Sequence, residues 1–153
     1  MKASGAFIFF MLFLAGVAFV NLKGMKDNGD AVILTPDELT DVAWRATNIG
    51  EMRLAEDTRM HVRFAPDGGI DGDAGCNRFF GHYELRDGRL AVGPLGATRK
   101  ACPEPAMSFE ISFLEALQSA STVARRDNRL VIRNAQGIAV ARFVSAEREA
   151  GRQ

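Results

Sequence analysis

The sequence predicts an α+β fold dominated by antiparallel sheet, with one helix, set behind an N-terminal transmembrane helix. Three observations lead there. Period-two alternation and turn dipeptides mark roughly six to eight short strands, one stretch has helical periodicity with prolines only at its start, and residues 3–22 carry no charge. At 153 residues, 47% hydrophobic and 25% charged, the chain has the composition of one ordinary globular domain.

The apolar run comes first. As a helix rising about 1.5 Å per residue, residues 3–22 would be about 30 Å long, the thickness of a bilayer's hydrocarbon core. An uncleaved anchor, with membrane contact through residues 3–22, is the expectation. A secretory signal peptide is the competing reading, because Lys2 gives a positive start and Gly16-Val17-Ala18 are small residues of the kind a signal peptidase reads. No cysteine follows the run to take a lipid. Lys2 on one side and Lys23 and Lys26 on the other leave orientation open by the positive-inside rule. Residues 23–38 mix charges with glycine and proline and read as a tether; the domain is expected over 39–147, with a polar tail at 148–153.

"VAWRATNI" reads as a first strand holding Trp44, and "RMHVRF" alternates Met60, Val62 and Phe64 against His61 and Arg63. "PDGGIDGDAG" reads as a cluster of turn formers that breaks the run. In "HYELRDGRLAVG", Asp87-Gly88 can adopt the positive backbone angles of a two-residue hairpin turn. "RRDNRLVIRNAQGIAVARFV" repeats the pattern, with turns at Asp127-Asn128 and near Gln136-Gly137. The helix is "PEPAMSFEISFLEALQSA", whose Met107, Ile111, Leu114 and Leu117 form the expected core stripe with Phe113 beside it.

Several chemistries find no support. Walker, dinucleotide-binding and nucleophile-elbow motifs are absent from the sequence. Of the 19 basic residues only Lys2 lies in the first 22, so the remainder nearly balances the 19 acidic ones and leaves no nucleic-acid footprint. His61 and His82 are the only histidines; His61 reads as a surface residue, and nothing brings His82 to Cys76 as a catalytic pair. Asp67, Asp71 and Asp73 read as turn residues, since the position where an EF-hand needs its closing glutamate is Arg78. Neither a metal site nor a cofactor is expected, and no enzymatic activity.

Cys76 and Cys102 remain. In a reducing compartment two isolated cysteines read as buried thiols; beyond a membrane, an even pair reads as a disulfide. The N-terminal segment makes export plausible and favours the bridge, with the domain in the periplasm.

At "GDAGCNRFFGHYELRDGRLAVGPLGATRKAC", followed by "FLEAL", the chain resembles the META/HslJ-like family. Gly75, Cys76, Asn77, Arg78, Phe79, Gly81 and Tyr83 fall in its G-C-N-R-x-x-G-x-Y segment, Thr98, Arg99 and Cys102 in its T-R-x-x-C segment, and Phe113, Leu114 and Leu117 in its F-L-x-x-L helix end. The resemblance implies a strongly curved antiparallel sheet, a cracked barrel or half-barrel, with the helix packed against it. It further implies a bacterial envelope location, association with heat-shock and novobiocin-resistance phenotypes, and no established catalysis. Many exported relatives carry an N-terminal lipoprotein cysteine; here the apolar run stands in its place. Two readings of the motif stay open. Gly75 and Gly81 can supply backbone angles that other residues resist, Asn77 can bond to nearby amides, and Cys76 can tie the turn to the loop before the helix, making an architectural clasp. Alternatively, Asn77, Arg78 and Arg99 line a recognition groove. For function, a non-catalytic anchored envelope domain acting in stress tolerance through protein or envelope contacts stands beside a lipid or small-molecule binding module.

Overall fold

The computed structural model describes residues 34–40 and 42–146. The expected span at residues 3–22 and the tail at 148–153 lie outside the described residues; among those described, no helix is long and apolar enough to cross a membrane. In chain order the elements are α1 (Pro36–Leu39), β1 (Ala43–Ile49), β2 (Met52–Arg53), β3 (His61–Phe64), β4 (Gly69–Asp73), β5 (Arg78–Arg86), β6 (Arg89–Val92), β7 (Gly96–Ala97), α2 (Ala106–Gln118), β8 (Thr122–Arg126), β9 (Arg129–Arg133) and β10 (Ala139–Ser145).

Eight strands close an antiparallel barrel in the order β1-β3-β4-β5-β6-β8-β9-β10, with β10 returning to β1 from Trp44↔Ser145 to Ile49↔Ala141. The half-barrel expectation is therefore corrected to a closed ring. Closure removes both sheet edges, which an open curved sheet would leave unpaired. The narrowest seam is β6–β8, joined by the single pair Arg89↔Thr122 and by Val123 N–H donating to Gly88 O at 3.0 Å. β2 extends the β1 hairpin, and β7 pairs with β5 outside the ring path.

Local sequence explains most strands. Met60, Val62 and Phe64 are buried while Arg63 is exposed, as the alternation predicts. Asp87 and Gly88 both hold positive φ, 51° and 74°, between the pairs Arg86↔Arg89 and Leu85↔Leu90. The "GIDGD" stretch was expected to be turn and is strand β4, paired along its length with β3 and β5. Its glycines have a packing reason: a Cβ on Gly72 would sit 2.0 Å from His61 O and 2.7 Å from the Phe79 ring. Glycine here permits close strand approach rather than a bend.

The fold also takes in residues that read as tether. Leu34 is buried and Leu39 fully so, and Glu38 caps α1 by accepting from Thr35 N–H and Oγ1–H, each at 3.0 Å. Trp44, fully buried, donates its Nε1–H to Leu39 O at 2.9 Å. Arg125 lies over the Trp44 ring, 5.4 Å from its centroid, and donates to Glu38 O, fastening α1 to the barrel.

Helix α2 fills the barrel from the other end. Phe113, fully buried, meets Phe79 of β5 at 5.9 Å and Phe143 of β10 at 6.1 Å between ring centroids. β5 and β10 lie on opposite sides of the ring, so this one side chain spans the interior. Of the expected core stripe, Leu117 and the adjoining Phe113 are fully buried and Leu114 is partly buried against the core, but the stripe fails at Ile111. Glu110, Phe113, Ala116 and Leu117 are buried, whereas Ile111 is 54% exposed. The inward face is turned about a quarter turn from the Met107–Ile111–Leu114 line. Two demands set the phase: Phe113 must reach both walls, and Glu110 must reach the turn before β5.

Candidate functional site

The motif residues converge where that turn meets α2. Gly75 holds φ +99°, the left-handed region that favours glycine, and donates its N–H to Asp73 Oδ1 at 2.8 Å. The turn delivers Cys76 to Cys102 in the loop before α2, and the two form a disulfide with Cα atoms 6.0 Å apart. The bonded reading of the cysteines holds, and Cys76 is no nucleophile for either histidine. His82 is exposed on β5, and His61 Nδ1 lies 2.8 Å from Arg59 O.

Asn77 is the hub. It is 2% exposed, and every hydrogen-bonding group it carries is engaged. Its backbone N–H donates to Glu110 Oε2 at 2.9 Å, and its Nδ2 donates to Glu110 Oε2 and Oε1 at 3.0 and 3.1 Å and to Lys100 O at 3.1 Å. Its Oδ1 accepts from Thr98 Oγ1–H and Lys100 N–H, both at 2.8 Å, and its carbonyl accepts from Ala74 N–H at 2.8 Å. Thr98 Oγ1 in turn accepts from Arg78 N–H at 3.2 Å. The sequence reading gave Asn77 only local turn bonds; instead it ties the turn, the Thr98–Lys100 segment and α2 together. A carboxylate accepting from two N–H groups, the backbone amide and one Nδ2–H shared between its oxygens, makes charge-assisted contacts, which are stronger than neutral ones.

Glu110 is the residue the sequence reading missed. It was visible as an acid at i, i+3, i+7 spacing with Phe113 and Leu117, within the apolar face of a helix. A charged group there calls for a buried partner, and Asn77 is it.

The other expected site residues divide. Thr98, Cys76, Cys102 and Gly75 belong to the hub. Arg78 and Arg99 are exposed; Arg78 joins the network only through its backbone, and neither side chain bonds to it. Phe79 is core. Gly81 has no unusual backbone angle; a Cβ there would lie 2.7 Å from the Leu95 side chain and 3.0 Å from Pro94 O, so space and not torsion requires glycine. Tyr83 lies at the opposite end of the β4–β5 ladder, donating its hydroxyl to Ala65 O at 2.9 Å and meeting Phe64 edge-on at 5.0 Å. Burial, and secondarily Asp67, hold its phenol above the ordinary value of 10.0. The three aspartates are spent on structure: Asp67 accepts from Gly69 N–H, Asp73 from Gly75 N–H, and Asp71 pairs with Arg63. Among the described residues no buried side-chain polar atom is without a partner.

An open apolar groove runs outside the helix, between α2 (Ser112, Glu115, Ala116, Ser119), the β1–β2 turn (Ile49, Met52) and Ile138–Val140.

This barrel, its helix and the disulfide-linked turn are matched by the family model for the META domain over residues 37–147. The chain belongs to the META domain family. The matched stretch begins inside α1, so the Leu39–Trp44 fastening falls within the META domain. Over 138 residues the chain is 25% identical to heat shock protein HslJ of Escherichia coli (strain K12), covering 89% of this chain and 91% of that protein. Among solved structures, a protein from Burkholderia xenovorans is 24% identical with a TM-score of 0.59, covering 72% of this chain and 86% of that one. A DUF4847 family protein from Bacteroides vulgatus is 14% identical with a TM-score of 0.55, covering 71% and 94%. These two share the fold with the META domain.

Proposed function

We propose that this META domain is a non-catalytic, membrane-tethered envelope domain that contributes to stress tolerance through binding contacts, in the manner that the name of its heat-shock relative suggests. The observation that carries this reading is the exhaustion of the motif: Asn77, Glu110, Thr98 and the disulfide spend their bonding capacity on one another. A periplasmic location is supported by the disulfide, which suits an oxidising compartment, together with the charge-free run at residues 3–22. The test is growth of a strain lacking the protein under heat stress, complemented by Asn77→Ala, Arg78→Ala or Arg99→Ala, with folded protein quantified in each. On this reading growth follows folded abundance in all three; a variant that is abundant and folded but behaves as the deletion contradicts it.

A second reading, binding of a lipid or apolar small molecule, is favoured by the groove beside Ile49, Met52 and Val140. The space first expected to hold such a ligand, between helix stripe and sheet, is filled by Phe113 and Leu117. Native mass spectrometry of gently extracted protein distinguishes the two: a stoichiometric lipid lost on Met52→Glu supports the second reading, and an unliganded mass supports the first.

A further inference from the structure

The barrel's outer surface is not uniform in charge. Four adjacent strands, β8, β9, β10 and β1, contain no aspartate or glutamate and turn five arginines outward (Arg45, Arg126, Arg129, Arg133 and Arg142), while Arg125 lies over the buried Trp44 ring. Across the ring, β3, β4 and β5 mix both signs, and Arg63 pairs there with Asp71. On the four-strand wall, cations alternate with apolar side chains along the register: Val144 lies between Arg129 and Arg45, and Val131 between Ala124 and Arg142. Arg126 faces Arg129 directly across the hairpin, a like-charge pair that is unfavourable in isolation. Among the described residues, the carboxylates in the turns bordering these strands are Asp127 and Glu51. Among the described residues, Arg126, Arg129, Arg133 and Arg142 have no ion-pair partner; the last two donate only to the carbonyls of Gly137 and Gly50.

We infer that the β8–β9–β10–β1 wall docks on an anionic phospholipid bilayer, its arginines engaging headgroup phosphates and its valines meeting the interface between them. Guanidinium groups bind phosphate bidentately, and an anionic leaflet attracts basic surfaces within a Debye length. Small aliphatic groups between the cations suit a lipid interface; the wall offers no outward aromatic ring of the kind on which nucleic-acid bases stack. Position agrees with charge. The β8–β9 turn lies where the chain enters the fold, with Ser145 N–H bonded to Asn128 O and Arg125 bonded to Glu38 O. Residues 23–33 separate that point from the apolar run, and at no more than about 3.6 Å per residue they keep the wall within reach of the bilayer. This inference rests on the tethered reading.

The experiment uses the full chain with methyl-labelled valines in nanodiscs carrying a paramagnetic headgroup chelate, made either of phosphatidylcholine alone or with phosphatidylglycerol. In the anionic discs, loss of the Val131 and Val144 methyl signals, with the buried Val62 and Val123 retained, is expected; Arg126→Gln with Arg129→Gln restores them. Equal attenuation in both disc types, or of all valines together, overturns the proposal. Duplex DNA shifting those methyls while anionic discs do not overturns it in favour of nucleic acid. Failure of the tether is read separately, as loss of the protein from phosphatidylcholine discs in high salt. The wall is then judged in anionic discs at low salt by the same valine pattern.

Discussion

At Asn77 a single side chain holds three segments that are far apart in sequence, and its removal should be felt in all of them. Asn77→Ala leaves Glu110, Thr98 and Lys100 short of partners and is expected to destabilise by about 1–3 kcal/mol in urea unfolding followed by the fluorescence of Trp44, the only tryptophan. Tyr83 gives a pH signature. Its phenol is held above its ordinary value by burial, so the stabilisation is complete below about pH 10, where folded and unfolded chains are both protonated, and is lost as pH rises through the higher pKa of the folded protein. As the only tyrosine, it can be titrated by absorbance; the folded midpoint should exceed that in urea, and Tyr83→Phe should flatten the alkaline fall in stability. The motif was legible as a clasp because glycine, cysteine and asparagine are turn chemistry. Its main partner was not, because Glu110 lies 33 positions away and no local rule connects them.

Elements with strong local signals were legible, and those set by tertiary contact were not. The Asp87-Gly88 hairpin and the Met60–Phe64 alternation follow from backbone preference and period. Strand β4 hid behind its glycines, which serve close packing against β3 and β5. Helix α2 was found, but its rotation was not, because apolar side chains occupy more than half of its circumference and only the barrel chooses among them. The choice is testable by contrast. Phe113→Ala should cost about 3–5 kcal/mol, as deletion of a core aromatic does. Ile111→Ala, at a position 54% exposed, should stay within about 0.5 kcal/mol. Equal losses at both sites would restore the stripe read from sequence.

For the whole molecule, the disulfide and the hub act on the same junction: both join the turn before β5 to the α2 side of the barrel, one covalently and one through hydrogen bonds. Closing a loop with a sequence separation of 26 restricts the unfolded chain, and replacing both cysteines by serine should cost about 2–5 kcal/mol. Mass spectrometry after alkylation under denaturing, non-reducing conditions should find neither thiol labelled in protein taken from cells. The barrel as a closed ring could not be read from the strands singly, since closure depends on β10 reaching β1 across almost the full length of the domain. The central claim, that the motif is architecture built around Asn77 and Glu110, is tested most directly by a double-mutant cycle on that pair. Asn77→Ala, Glu110→Ala and the double variant are unfolded in urea, and the interaction energy is taken from the difference. A coupling of about 1.5–3 kcal/mol is predicted for a buried, charge-assisted pair. A coupling near zero, with both single variants as stable as the parent, would contradict it.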